Sequence, residues 1–188
     1  LNRHFTEMTD IVLEHKGTVF RFIGDAVMAF WGAPLDDDDQ AYRAVAAAIA
    51  MQKAMQAMRV DFAKEGLPAI SMRIGIHSGS AVVGNLGSAK RFDYTAIGDD
   101  VNLAARLEGI NKLYRTGIIV SGATARQISE KAEGQVDREI ALRLIDRVIV
   151  KGKSQAVDVF TPCDDPNIVK LTEQAIRLFR NQEWDSAE

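Results

Sequence analysis

Three stretches of the chain concentrate side chains that handle charge: RFIGDAVMAFWGAP (residues 21–34), RFDYTAIGDDVNLAAR (residues 91–106) and VKGK (residues 150–153). In the first, Asp25 follows Gly24 between two β-rich runs. A carboxylate at such a hairpin tip is exposed, rigid and able to bridge hard cations such as Mg2+ or Mn2+; the plainer reading is a turn-forming acid. In the second, Asn102 and Arg106 stand four apart and share one face of a helix. A guanidinium there offers donors to charge that develops on a reacting group, or simply pairs with a surface acid. In the third, Lys151 and Lys153 are two apart, a spacing that puts both on one face of a strand. Taken singly, each stretch has a dull explanation: a hairpin turn, a helix start, a basic strand end.

Other phosphate and metal patterns fail. Gly79 and Gly84 have the separation of a Walker loop, but Asn85 and Leu86 follow where Gly-Lys-Ser/Thr would continue. No dinucleotide fingerprint is present. His4, His15 and His77 lack metal-ligand spacing and read as structural. The acidic run at residues 36–39 reads as a solvated loop that caps the next helix and complements its dipole, ahead of a cation site.

The elements that must position these groups follow from periodicity. Leu1, Phe5, Met8, Val12 and His15 recur at helical spacing and Gly17 ends the segment. Strands are expected at residues 18–22 and 26–31, joined at Gly24-Asp25. A long helix is predicted over residues 40–62, and a half-buried strand over residues 69–78 with Val82-Val83 as its partner beyond a bend at Gly79. Gly98 opens a second helix through Leu107. Then come a strand (117–121), a short helix (123–131), two strands (142–150 and 157–161) and a helix after Pro166. Hairpins occur where a doubly wound sheet would have crossovers, which favours an α+β sandwich.

At 188 residues and 20.7 kDa, with 47% hydrophobic and 26% charged residues, the chain suits one soluble globular domain with its own core. Its formal net charge of -3 gives no global basic field for nucleic acid or an anionic membrane. Cys163 is the lone cysteine, which excludes an intrachain disulfide framework and points to a reducing, cytoplasmic setting. No apolar run is long enough to span a bilayer, so no membrane contact is expected from this segment. The sequence opens directly inside an amphipathic pattern with no Met before it, as a piece of a longer protein would.

Together and in this order, the three stretches resemble the class III adenylyl and guanylyl cyclase family, its bacterial branch most of all, over residues 17–161. The resemblance implies a ferredoxin-like βαββαβ core with added strands and helices, the nucleotide cyclase fold. Residues 1–162 would form the catalytic domain, its opening strand absent, and residues 163–188 a helical tail or linker. It further implies a homodimer with active sites at the interface, and a lyase reaction in signal transduction. The ribose 3′-hydroxyl of ATP would attack the α-phosphate, giving cyclic AMP and pyrophosphate with the help of two divalent metal ions, Mg2+ or Mn2+. An upstream regulatory domain in the parent protein is also expected.

Residue by residue, Asp25 matches the second metal-binding aspartate of that family. Asn102 matches the ribose-orienting asparagine, Arg106 the α-phosphate arginine and Lys151 the lysine on the terminal phosphates. The purine would be read by Arg21 and Thr95. Adenylyl enzymes typically have lysine and then aspartate or threonine at these positions, guanylyl enzymes glutamate and cysteine. Thr95 can accept from adenine N6, and Arg21, a donor-only group, can donate to adenine N1 but cannot receive the guanine N1 and N2 protons. Arg21 departs from the pattern, and its longer fork changes a tight pocket. The first metal aspartate would lie before Leu1, so residues 1–188 alone are expected to be nearly inactive. The alternative is a degenerate cyclase-like module that binds nucleotide for regulation or dimerisation without turnover. A diguanylate cyclase lacks support, there being no Gly-Gly-Asp/Glu-Glu-Phe signature.

Overall fold

The computed structural model describes residues 1–88, 90–132, 140–153 and 155–183. Helix α1 (Asn2–Glu14) buries Met8, Ile11 and Val12, three to four residues apart, against α2 (Gln40–Lys64). Between them, β1 (Thr18–Ile23) and β2 (Ala26–Phe30) pair antiparallel with Ile23 opposite Ala26. That register leaves Gly24 and Asp25 as a two-residue turn, and Gly24 takes φ +60, the positive value such a turn needs. Trp31 seats the ladder on α1 by donating its indole N–H to the His15 carbonyl at 2.9 Å.

The remaining elements are β3 (Ile74–Ile76), β4 (Val82–Ser88), β5 (Arg91–Ile97), α3 (Asp99–Tyr114), β6 (Ile118–Ser121), α4 (Gly122–Ala132), β7 (Leu142–Ile149), β8 (Ala156–Pro162) and α5 (Pro166–Arg180). A mixed four-stranded sheet has the order β3-β6-β8-β7, with β3 parallel to β6 and the other pairs antiparallel. Its central strand reads Ile-Ile-Val-Ser and is buried throughout. Ile118 and Val120 meet α2 while Ile119 meets α3, so the sheet is covered on both faces. This is the expected α+β arrangement. From α1 to β3 the elements run α-β-β-α-β, the order of a βαββαβ core from its first helix onward.

Two expectations about strands need correction. The segment expected as a strand at 69–78 is regular only over Ile74–Ile76. Alternation chooses a face, but a strand also needs a partner, and β6 offers one only at Ile118, Ile119 and Val120. Val82 and Val83 pair with Ile97 and Ala96 of β5, forming a separate hairpin rather than flanking β3. The acidic loop also departs from a simple cap. The Asp39 side chain makes no capping bond; Asp37 accepts the Asp39 N–H at 3.0 Å and binds Arg43 at 2.9 Å, so the acids hold α2 through its own arginine.

Among the described residues β2 pairs only with β1, and β3 only with β6. Between their unpaired edges lies a cleft of about 1410 Å3, walled by Val27, Ala29, Ile74 and Ile76 and floored by Met8 and Met51. Two open backbone edges facing an apolar floor are a template for one more extended segment.

Candidate active site

Helix α3 carries the best-placed polar groups. Leu103 and Leu107 are buried against the sheet, which turns Asn102 and Arg106 outward together. Both ends of the helix are tied down. At its C-terminal end the Asn111 amide, fully buried, donates to the Ile74 carbonyl at 2.9 Å and accepts from Thr116 Oγ1 at 2.8 Å. Tyr114 donates to Asp146 of β7 at 2.6 Å, and burial together with that carboxylate pushes its phenol up to about 12. At the N-terminal end Asp99 and Asp100 occupy the first turn, where negative charge complements the helix dipole.

The VKGK stretch folds as a turn between β7 and β8, with φ +79 at Gly152. The turn lies on Arg106: a Cβ at Gly152 would stand 3.4 Å from either terminal nitrogen of that guanidinium. Lys151 and Lys153 therefore do not share a strand face, contrary to the spacing argument, because β7 ends at Ile149. Lys153 is half-buried and pairs with Asp99 at 3.5 Å and Asp100 at 4.0 Å. Lys151 is exposed and makes no ion pair among the described residues, so its ammonium is the one available to a ligand. The turn that carries Lys151 thus lies on Arg106, and Asn102 is one turn away on the same face of α3.

Asp25 and Arg21 sit elsewhere, both exposed on the β1–β2 hairpin. Among the described residues no hydrogen bond or ion pair joins them to Asn102, Arg106 or Lys151. The tip is braced from α1, where Phe5 packs on Phe22 at 4.8 Å between centroids and buried His4 reaches the Asp25 backbone. Phe20 and Phe30 stack on each other at 5.4 Å, and Phe30 continues to Tyr94 of β5 at 6.0 Å, so these rings join the two hairpins. Thr95, on β5 opposite Gly84, is 3% exposed, and its hydroxyl is buried without a partner. A buried hydroxyl left unpaired costs about 1–3 kcal/mol, a cost a ligand acceptor or donor would relieve.

For divalent metal, the donor set is incomplete. Asp25 contributes one exposed carboxylate, and among the described residues no group of three or more His, Cys, Asp or Glu side chains could hold an ion. These residues supply one ligand toward a two-ion centre and do not complete it.

Sequence reasoning missed the polar network beneath the site. His77, at the end of β3, meets Asp100 at 3.3 Å and Ser121 at 2.8 Å, and burial lowers its pKa from 6.5, with Asp100 opposing. Burial likewise lowers His4, with Asp25 opposing. Isolated histidines carry no pattern, so only the neighbours reveal them. Both folded-state values lie below the unfolded 6.5, so below that pH the unfolded chain binds more protons. Their stabilising contribution is present above pH 6.5 and is lost as pH falls through the folded values. Thermal denaturation should show Tm falling between about pH 7 and about pH 5, with a shallower slope in His77→Gln. A slope unchanged by that substitution would assign the acid sensitivity to other groups.

The architecture is that of an α+β domain with a polar face along α3. Residues 1–161 match the family model for the adenylate and guanylate cyclase catalytic domain, and the chain belongs to that family. It is 36% identical over 173 residues to "Adenylate cyclase 1" of Rhizobium meliloti (strain 1021), covering 92% of this chain and 25% of that protein. It is 37% identical to an adenylate cyclase of Anabaena cylindrica, covering 85% of this chain and 31% of the relative. The chain thus spans about a quarter to a third of the length of these relatives. Among solved structures, the adenylyl cyclase CyaB from P. aeruginosa superposes with TM-score 0.76 at 35% identity, covering 87% of this chain and 80% of that one. The guanylyl cyclase Cya2 gives 0.71 at 34%, covering 90% and 82%. No helix among the described residues is long and apolar enough to cross a membrane.

Proposed function

We propose that this domain converts ATP to 3′,5′-cyclic AMP and pyrophosphate within a homodimer. The observation that carries the reading is the seat of the β7–β8 turn, which bears Lys151, on Arg106, with Asn102 on the same face of α3. Lys151 would hold the terminal phosphates and Asn102 would orient the ribose. Arg106 would donate to the α-phosphate oxygens as charge builds on them during 3′-hydroxyl attack. Arg21 and Thr95 support adenine over guanine. The partnerless Thr95 hydroxyl accepts from N6, and Arg21, with donors only, has nothing to offer the guanine N1 and N2 protons.

The separation of Asp25 from Asn102 and Arg106 supports a site assembled from two copies, one giving the carboxylate and the other the guanidinium and amide. Exposed Phe22 and Ile23 on the first hairpin, and Val82, Phe92 and Ile97 on the second, are apolar faces that a second copy would cover. Two divalent ions, when bound, would neutralise phosphate charge, with Asp25 as one ligand. A second carboxylate would complete the pair, and the cleft between β2 and β3 has room for a segment that brings one. Residues 1–188 alone should therefore turn over little.

The test is to measure cyclic AMP and cyclic GMP from Mn-ATP and Mn-GTP with the full-length protein and with residues 1–188. Cyclic AMP is expected from the full-length protein, at least about tenfold faster than cyclic GMP, and little of either from the shorter chain. Cyclic GMP in excess would overturn the ATP assignment. Binding of ATP by the full-length protein without product would favour a regulatory module without turnover, the reading to which the unusual Arg21 points.

A further inference from the structure

We propose that Asp100 is a positioning residue for the nucleotide site. Its carboxylate joins the β3–β4 link, the start of α3 and the β7–β8 turn, so that Asn102, Arg106 and Lys151 keep a common geometry. The inference deepens the cyclase reading and rests on it.

Asp100 stands one turn or less from Asn102 and binds in three directions. Oδ2 accepts the Ser80 backbone N–H at 2.9 Å, and Oδ1 faces His77 Nε2 at 3.3 Å and Lys153 Nζ at 4.0 Å. The link itself lies directly on the carboxylate, since a Cβ at Gly79 would overlap it. Lys153 closes the other side, and the same turn carries Lys151 and rests on Arg106 through Gly152. A single side chain thus contacts the segment that leads into the hairpin bearing Thr95, the helix bearing Asn102 and Arg106, and the turn bearing Lys151.

Behind it the polar network is closed. Thr124 and Ser121 are fully buried. Ser121 Oγ lies 2.8 Å from His77 Nδ1 and 3.2 Å from Thr124 Oγ1, and it accepts the Thr124 N–H at 3.3 Å. Ser78 Oγ lies 2.9 Å from Thr124 Oγ1. One proton order satisfies every member: Ser78 donates to Thr124, Thr124 to Ser121, Ser121 to His77 Nδ1, and His77 Nε2–H to Asp100. The imidazole is then neutral, with its tautomer set from both sides. Ser121, His77 and Asp100 have the connectivity of a hydrolytic triad, but Ser121 has no exposed surface and its oxygen is saturated. No substrate reaches it, so the chain of bonds serves to orient rather than to attack.

The experiment compares wild type with Asp100→Asn, which keeps size and an acceptor but removes the charge, and with Lys153→Met. Three readouts are taken: amide hydrogen exchange over residues 78–81 and 150–153, titration of the His77 imidazole by NMR, and affinity for α,β-methylene-ATP. In Asp100→Asn exchange in both segments should rise about tenfold and analogue affinity should fall about tenfold. His77 should titrate lower, because the carboxylate that favours its charged form is gone. Lys153→Met should raise exchange over residues 150–153 and weaken the analogue about threefold; this decides the matter if Asp100→Asn does not fold. Unchanged exchange and affinity in a folded Asp100→Asn, or in Lys153→Met, would overturn the proposal. If wild type itself fails to bind the analogue, the cyclase reading fails, while exchange and the imidazole titration still decide whether Asp100 is the joint.

Discussion

Replacing Arg106 by Ala should lower cyclic nucleotide formation by the full-length protein about 10²–10³-fold, while its affinity for α,β-methylene-ATP changes less than about fivefold. The asymmetry follows from where charge appears. On the proposed reading, the ground-state phosphates would already be solvated and held by Lys151. As the 3′-hydroxyl adds, negative charge would grow on the α-phosphate oxygens, and a guanidinium lying against the Gly152 turn would meet it with little reorganisation. Arg106→Lys should fall between the two. It keeps the charge but loses the planar fork, and the shorter reach of one ammonium cannot rest on the turn in the same way. Initial-rate kinetics beside equilibrium binding separate these outcomes. A loss confined to KM would make Arg106 a ground-state binder; no loss at all would remove it from the site.

Much of this was legible in the sequence where local chemistry and tertiary demand coincide. Gly24-Asp25 between two β-rich runs suits a tight turn, and the strand expected at residues 117–121 is present at Ile118–Ser121. The spacing of Asn102 and Arg106 survives intact, because Leu103 and Leu107 fix which face of α3 is inward. What was hidden depends on partners distant in sequence. The alternation at Ile70, Met72, Ile74 and Ile76 is real, yet only its second half finds a neighbouring strand. Residues 91–97 read as a motif rather than a strand, since the row of exposed residues Arg91 to Tyr94 gives no inward face. The spacing of the two lysines of VKGK predicts one shared strand face for both. A single residue with φ +79 between them sends one to α3 and leaves the other to solvent. His77 and Asp100 are 23 positions apart, and no periodicity could have paired them.

Gly75→Ala should disrupt the seat of α3 on the sheet. Gly75 lies mid-strand in β3, where a glycine is ordinarily a weakness, but α3 sits so close that an added Cβ would overlap the Ala104 carbonyl and the Glu108 amide nitrogen. Both are helix backbone, so no side chain can swing aside; the helix must move or the strand must. Overpacking of this kind costs about 1–3 kcal/mol, which for a domain of this size lowers Tm by roughly 2–12 °C. The consequence for function is larger than for stability. Asn111 and Tyr114 hold the far end of α3, so displacement at Ala104 is transmitted to Asn102 and Arg106 on the same rigid helix. A misplacement of about 1 Å in a positioned catalytic group can lower turnover about 10²-fold. Thermal denaturation and turnover should therefore both fall, with far-UV circular dichroism at low temperature still that of the wild type. A variant with unchanged Tm and rate would mean that α3 does not rest on β3 at this point, and that the seat of Arg106 lies elsewhere.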